Sequence, residues 1–188
     1  KKYFYNFDER YLIATFPSRN YNIDEYPAIK QFLFGFYPKI KQTGENLTSE
    51  EINAVMNHAK NEGIKINERS LRKSRKRTTN KWFETQDSIS YWEDFYRPKI
   101  IFSELTQGSC FILDDTCEMI TLQTGYIIVG NHLKFLLALL NSKFIEWAFR
   151  KYFSVELGGS GLRWLKQYVE TLPIILPNNK IEQKIENL

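Results

Sequence analysis

The chain is poor in the residues that build covalently stapled or metal-held folds, with two cysteines and two histidines among 188 residues. Cys110 and Cys117 stand in strand-like apolar surroundings with no second ligand pair nearby. Structural zinc needs four closely spaced Cys or His ligands, so neither zinc nor a disulfide framework is expected. His58 falls inside a helical pattern and His132 opens another, which reads as packing and not ligation. Long apolar runs are also missing. The most apolar stretch, Leu133 to Phe149, is broken by Lys134, Lys143 and Glu146, far short of the ~20 apolar residues that span a bilayer. No secretion signal is visible at the start, so a soluble, cytoplasmic protein with no membrane partner is expected.

Two catalytic arrangements are absent as well. The six prolines include no adjacent pair. The chain therefore lacks the Asn/Asp-Pro-Pro-aromatic arrangement that holds the exocyclic amine of a flipped adenine during methylation. A magnesium-dependent nuclease needs clustered carboxylates beside a Glu-x-Lys. The one Glu-x-Lys, Glu182-Gln183-Lys184, lies in a charged tail and reads as solvated surface. No catalytic residue is assigned to this chain.

What the sequence does have is apolar surface and one concentrated charge. Hydrophobic residues make up 43% of it and aromatics 15%, enough to exclude disorder of the whole chain. A length of 188 residues makes one continuous core the default, with two subdomains sharing one interface still allowed. Net charge is +4, but seven of the 13 residues from Arg69 to Lys81 are basic and none is acidic. Without them the chain carries 19 basic against 22 acidic side chains. A local cationic patch on a mildly acidic body is the footprint of a surface that docks on phosphate.

Periodicity predicts α+β architecture: a mixed or antiparallel sheet with packed helices. Tyr11–Phe16 reads as a strand ended by Pro17. Asp24 caps a helix with Ile29, Phe32, Leu33 and Phe36 on one face, stopped by Pro38. Thr48 and Glu51 have capping-box spacing before a stripe of Ile52, Val55, Met56 and Ala59, and Gly63 supplies the stop. Lys99–Leu105, Ser109–Leu113 and Glu118–Val129 predict three or four strands, with turns at Gly108, Asp114 and Gly125. Asn131 caps a long helix that kinks near Asn141 and Ser142. A Gly158-Gly159-Ser160-Gly161 loop then opens a short helix through Leu162 to Thr171, before an extended Leu-Pro-Ile-Ile-Leu-Pro segment. Residues 1–177 form the expected domain, and 178–188 the start of a charged C-terminal helix or tail.

Two constellations are candidates for binding. In the basic segment, Arg72, Lys73, Arg75, Lys76, Arg77 and Lys81 can hold phosphates, and the arginines can also read guanine. Thr78, Thr79 and Asn80 add short polar groups. The alternative is a solvated loop that serves solubility, as charge runs usually do. In the glycine loop, Gly159 and its neighbours can turn backbone N–H groups toward an anion, reinforced by Arg163 and Lys166. Its alternative is a simple turn. The aromatic group Tyr91, Trp92, Phe95 and Tyr96 reads as core before it reads as a base-stacking platform.

Six blocks, in order, carry a family resemblance: FPS at 16–18, IDEYPAIKQFL at 23–33, KWFETQD at 81–87, YWEDFYRPKIIF at 91–102, LLALLNSKF at 136–144 and GGSGLRWLKQYVETLPI at 158–174. Together they resemble the TaqI-like C-terminal specificity domain of type IIG restriction-modification enzymes and their adenine-specific DNA methyltransferase relatives. The resemblance implies a fold similar to the target-recognition domains of type I specificity subunits. It also implies sequence-specific recognition of double-stranded DNA, and a methyltransferase domain of the same parent chain as partner. No cofactor is implied for this fragment, S-adenosylmethionine is implied for the parent enzyme, and Mg²⁺ too if that enzyme carries a nuclease. Arg163 and its glycine loop match a family block, whereas the basic segment falls where such domains vary. The expected docking face bears Arg72 to Lys81 and the Arg163 loop. Two rival classes are a stand-alone nuclease with an unfamiliar site and an interaction module whose basic loop meets RNA or an acidic protein.

Overall fold

Helix-period apolar residues fill the first part of the chain, and in the second part strand-period residues are followed by further helical ones; each part closes on its neighbours in sequence, where loop closure is least costly. A computed structural model describes residues 11–121, 124–153, 161–178 and 184–185. These fall into two compact units, Glu9–Ser90 and a second beginning at Tyr91. Each has its own buried cluster, in place of the one continuous core expected from length. Among the described residues, helices combine with small antiparallel sheets, the α+β class that periodicity predicts.

The first unit is helical, with α1 (Pro27–Phe34), α2 (Tyr37–Ile40) and α3 (Ser49–Asn61). The capping box that starts α3 is complete. Thr48 Oγ1 accepts from Glu51 N at 3.2 Å, and Glu51 Oε2 accepts from Thr48 N at 2.9 Å. Val55 and Ala59 are buried against Phe36, Ile40 and Leu71, with Ile52 and Met56 packed alongside, so the predicted stripe is the core face. Gly63 follows with φ +69°. The predicted strand at Tyr11–Phe16 is not one: Thr15 instead donates its hydroxyl to Phe83 O and accepts from Thr85 N, tying the segment to a loop. Asn22, not Asp24, supplies the first cap, accepting from Asp24 N before a single turn at Ile23–Glu25. Pro38 does not stop a helix. It sits in the first turn of α2, where a missing N–H costs nothing.

The second unit is built on β1 (Lys99–Ser103), β2 (Leu105–Thr106), β3 (Phe111–Asp114), β4 (Gly125–Val129) and β5 (Leu162–Arg163), with helices α4 (Leu133–Leu140), α5 (Lys143–Tyr152) and α6 (Lys166–Val169). The sheet order is β3-β1-β4, all antiparallel, and β2 pairs separately with β5. Ile100, Phe102 and Phe111 from the sheet bury against Leu140, Ile145, Phe149, Leu162 and Trp164. Trp164 stacks on Phe149 with centroids 3.9 Å apart and meets Phe111 edge-on. In the aromatic group at the head of this unit, Trp92 and Phe95 are core while Tyr91 and Tyr96 remain exposed.

Four expectations change in this unit. The predicted strand Glu118–Val129 shortens to Gly125–Val129, because Met119 N and Cys117 N turn back to the Asp114 carboxylate. Helix α4 starts from His132, which takes a left-handed conformation with φ 60°, and not from an Asn131 cap. The predicted kink is a full break. Asn141 forms a two-point clasp with the Phe111 backbone, accepting from its N at 3.0 Å and donating to its O at 2.9 Å, and Ser142 recaps the chain by accepting from Ile145 N. Finally, Leu162 and Arg163 form a strand and not the start of a helix, since Leu162 and Trp164 alternate inward with period two.

Lys99 and Asp114 form an ion pair with both side chains at 0% exposure, Nζ to Oδ2 2.5 Å. Lys99 also donates to Phe95 O at 2.7 Å, and the carboxylate accepts from Thr116 and from two backbone N–H groups. Burial pushes the Asp114 carboxyl upward, but hydrogen bonds from Lys99, Met119 N and Thr116 outweigh it and hold the group below the usual carboxylate range.

Candidate nucleic-acid interface

The basic segment is extended, and its backbone is anchored along one side. Leu47 N donates to Arg72 O, Ser74 N to Glu45 O, Gly44 N to Arg75 O and Thr78 N to Gln42 O, with Asn46 and Lys73 bridged antiparallel. Residues 72–78 thus run beside 42–47 as an irregular two-stranded ledge. Leu71 and Ser74 turn inward, whereas Arg72, Lys73, Lys76 and Arg77 are exposed. Such pinning lowers the entropy lost when those side chains engage a ligand.

Two further cations hold the ledge from beneath. Lys39 Nζ donates to Ser70 O at 2.6 Å and to Lys73 O at 2.7 Å, and burial, followed by the charge of Arg75, pulls its pKa down. Arg75 is half-buried and donates from Nη1 to Glu84 O at 3.0 Å, and burial lowers its pKa too. Lys81 is exposed but occupied. It donates to Asn20 Oδ1 and Tyr21 O, and lies 3.8 Å from Glu84 Oε1. Thr78 bonds to Gln42, and Asn80 donates to Thr85 O and Gln86 O, so both serve the loop itself. By contrast, Arg72, Lys73, Lys76 and Arg77 have no side-chain partner among the described residues. The structure thus divides the cationic run by task, which composition does not do. Lys39 carries no signal in the sequence because it lies outside the run.

The second candidate belongs to the other unit. Gly159 lies outside the described residues. Arg163 projects from β5 between Leu162 and Trp164, both at 0% exposure, and its Nε donates to Glu104 Oε1 at 2.6 Å. Lys166 pairs with Glu170 at 3.4 Å across one exposed helical turn, an interaction worth at most ~1 kcal/mol. The expected helix start next to the glycine loop is displaced, because β5 intervenes and α6 begins only at Lys166. Glu104 carries no signal in the sequence beyond its place near the end of the predicted strand Lys99–Leu105.

Other candidates resolve as packing. His58 Nε2 lies 3.0 Å from Phe32 O, and its ring meets Phe36 edge-on at 4.5 Å. Cys110 and Cys117 are not joined in a disulfide. Among the described residues, no group of three His, Cys, Asp or Glu side chains converges as a metal site requires, and no helix is long and apolar enough to cross a membrane.

Against this geometry, the family model described as the TaqI-like C-terminal specificity domain matches residues 40–174. The chain belongs to that family. Its match takes in the whole ledge, Glu104, Arg163 and Lys166, and four of the six resembling blocks; FPS and IDEYPAIKQFL lie upstream of it. A TaqI-like specificity domain is a DNA-binding module of restriction-modification enzymes, and the exposed cations suit that role. No curated protein matches the chain.

Proposed function

We propose that this specificity domain recognises a specific sequence in double-stranded DNA on behalf of a bacterial type IIG restriction-modification enzyme or adenine-specific methyltransferase. In this reading it docks through the ledge formed by Arg72, Lys73, Lys76 and Arg77. The observation that carries the proposal is that these four cations are exposed and, among the described residues, unpaired on an anchored backbone, while the neighbouring Lys39, Arg75 and Lys81 are spent on the fold. Unpaired cations release the phosphates' counterions on binding and have no internal salt bridge to break first. S-adenosylmethionine, and Mg²⁺ where cleavage occurs, belong in this reading to other domains of the parent chain, and the methyltransferase domain is the intramolecular partner. Arg75 and Lys81 act on DNA only indirectly, by holding the loop.

The test is a salt titration of duplex binding. The chain should show a log–log slope steeper than that of a variant with Lys73, Lys76 and Arg77 changed to Ala, by ~0.9 for each phosphate that the variant no longer neutralises. Equal slopes and equal affinities would remove the ledge from the interface. Arg75 is left intact in this variant, because Arg75→Ala also removes one of the two hydrogen bonds that Glu84 O accepts, the other coming from Gln42, and would confuse folding with binding.

A further inference from the structure

Arg163 differs in kind from the ledge cations. Its charge is already balanced by Glu104, which lies just before β2, and the pair is only partly exposed, 43% for the Arg163 side chain and 17% for Glu104. Tyr126 on β4 donates its hydroxyl to the other carboxylate oxygen, Glu104 Oε2, at 3.3 Å. Burial first, then the Glu104 charge and this hydrogen bond, raise the Tyr126 pKa against the opposing Arg163 charge, so the phenol remains the donor. The backbone is equally fixed. Leu105 pairs with Arg163 and Thr106 with Leu162, Trp164 N donates to Glu104 O at 2.7 Å, and Trp164 Nε1 donates to Thr106 Oγ1 at 3.0 Å.

A relay of hydrogen bonds therefore runs Tyr126 to Glu104 to Arg163, and it engages only the Nε end of the guanidinium. Among the described residues the two terminal amines have no protein partner. A guanidinium whose net charge is balanced gains less from phosphate than a bare cation does. What it retains is a planar fork of donors at fixed orientation, which suits two neutral acceptors side by side. Among duplex base edges, guanine offers that pair, O6 and N7, in the major groove.

We infer that Arg163 is a base-reading residue for a guanine in the recognised site, and that Glu104, steadied by Tyr126, is the positioning residue that aims it. This rests on the DNA-recognition reading above but not on the ledge, which lies in the other unit.

Enrichment of bound duplexes from a randomised pool, with the 188-residue chain at low ionic strength, tests the inference. The unaltered chain should enrich a sequence with a guanine at one fixed position. Arg163→Lys, which keeps the charge but loses the fork, should flatten the preference at that position alone, by roughly 5- to 150-fold, the discrimination of one bidentate pair. Glu104→Ala should weaken the same position, and Glu104→Gln, which keeps an acceptor for Nε, should largely restore it. A purely structural brace between β2 and β5 would move thermal stability and leave the base preference intact. If Arg163→Lys retains the full sequence preference, or loses affinity for all sequences equally, base reading by Arg163 is overturned while DNA recognition stands. If the unaltered chain enriches no sequence, the recognition reading fails and takes this inference with it.

Discussion

Gly35 lies so close to the His58 ring that a Cβ built on it would meet three ring atoms at 2.3–2.4 Å. Its backbone is ordinary right-handed helix, so space, not conformation, requires glycine there. Gly35→Ala should push the imidazole off Phe32 O and Phe36 and destabilise the first unit by ~1–3 kcal/mol in urea unfolding, the usual cost of overpacking. The buried Lys99–Asp114 pair makes a different demand. Lys99→Met leaves a buried carboxylate without its cation and should cost ~3–5 kcal/mol. Folding also lowers the Asp114 pKa from its ordinary 3.8. The folded state consequently binds fewer protons than the unfolded chain, and the pair's stabilisation is complete above that pH and lost as the pH falls through the depressed value. Urea midpoints measured between about pH 6 and about 2.5 should fall steeply at the acid end for the unaltered chain and less so for Asp114→Asn.

Element boundaries depend on individual side chains that satisfy backbone groups. Helices α4 and α5 would read as one from their apolar spacing, yet Asn141 spends its amide on Phe111 and Ser142 accepts from Ile145 N to start again. Ser142→Ala should destabilise the second unit by ~1 kcal/mol, as the loss of a helix cap does. Asn141→Ala should cost more, because it also strands the Phe111 N–H and C=O. Thermal melts of the two variants check the order. The ledge obeys the same logic in the first unit, where the carbonyls of Ser70 and Lys73 are drawn inward by one ammonium.

For the whole molecule, charge is partitioned more sharply than composition suggests. Seven basic residues crowd between Arg69 and Lys81, but three of them, Arg75, Lys81 and Arg69, differ in what they can offer: Arg75 and Lys81 are bonded within the fold, and Arg69 is exposed at the turn before the ledge. Changing Lys76 and Arg77 together to Ala should alter stability by no more than ~0.5 kcal/mol, since neither has a side-chain partner among the described residues. The same change should weaken duplex binding, and comparing urea midpoint with affinity on one preparation separates the two effects.

Patterns local in the chain were legible without coordinates: the capping box at Thr48, the stripe ending at Ala59, the strands around Ile100 and Phe111, the family likeness, and the basic run itself. These depend on spacing within a few residues, which sequence displays directly. What only tertiary structure decided was the partner of each polar group. Lys39 reaches a carbonyl 34 residues away and Glu104 meets Arg163 at a separation of 59, and no period or propensity encodes an interaction between segments so far apart. For the same reason the sequence marked where positive charge accumulates, but folding determined which cations stay available and which are bound to the protein's own backbone and carboxylates.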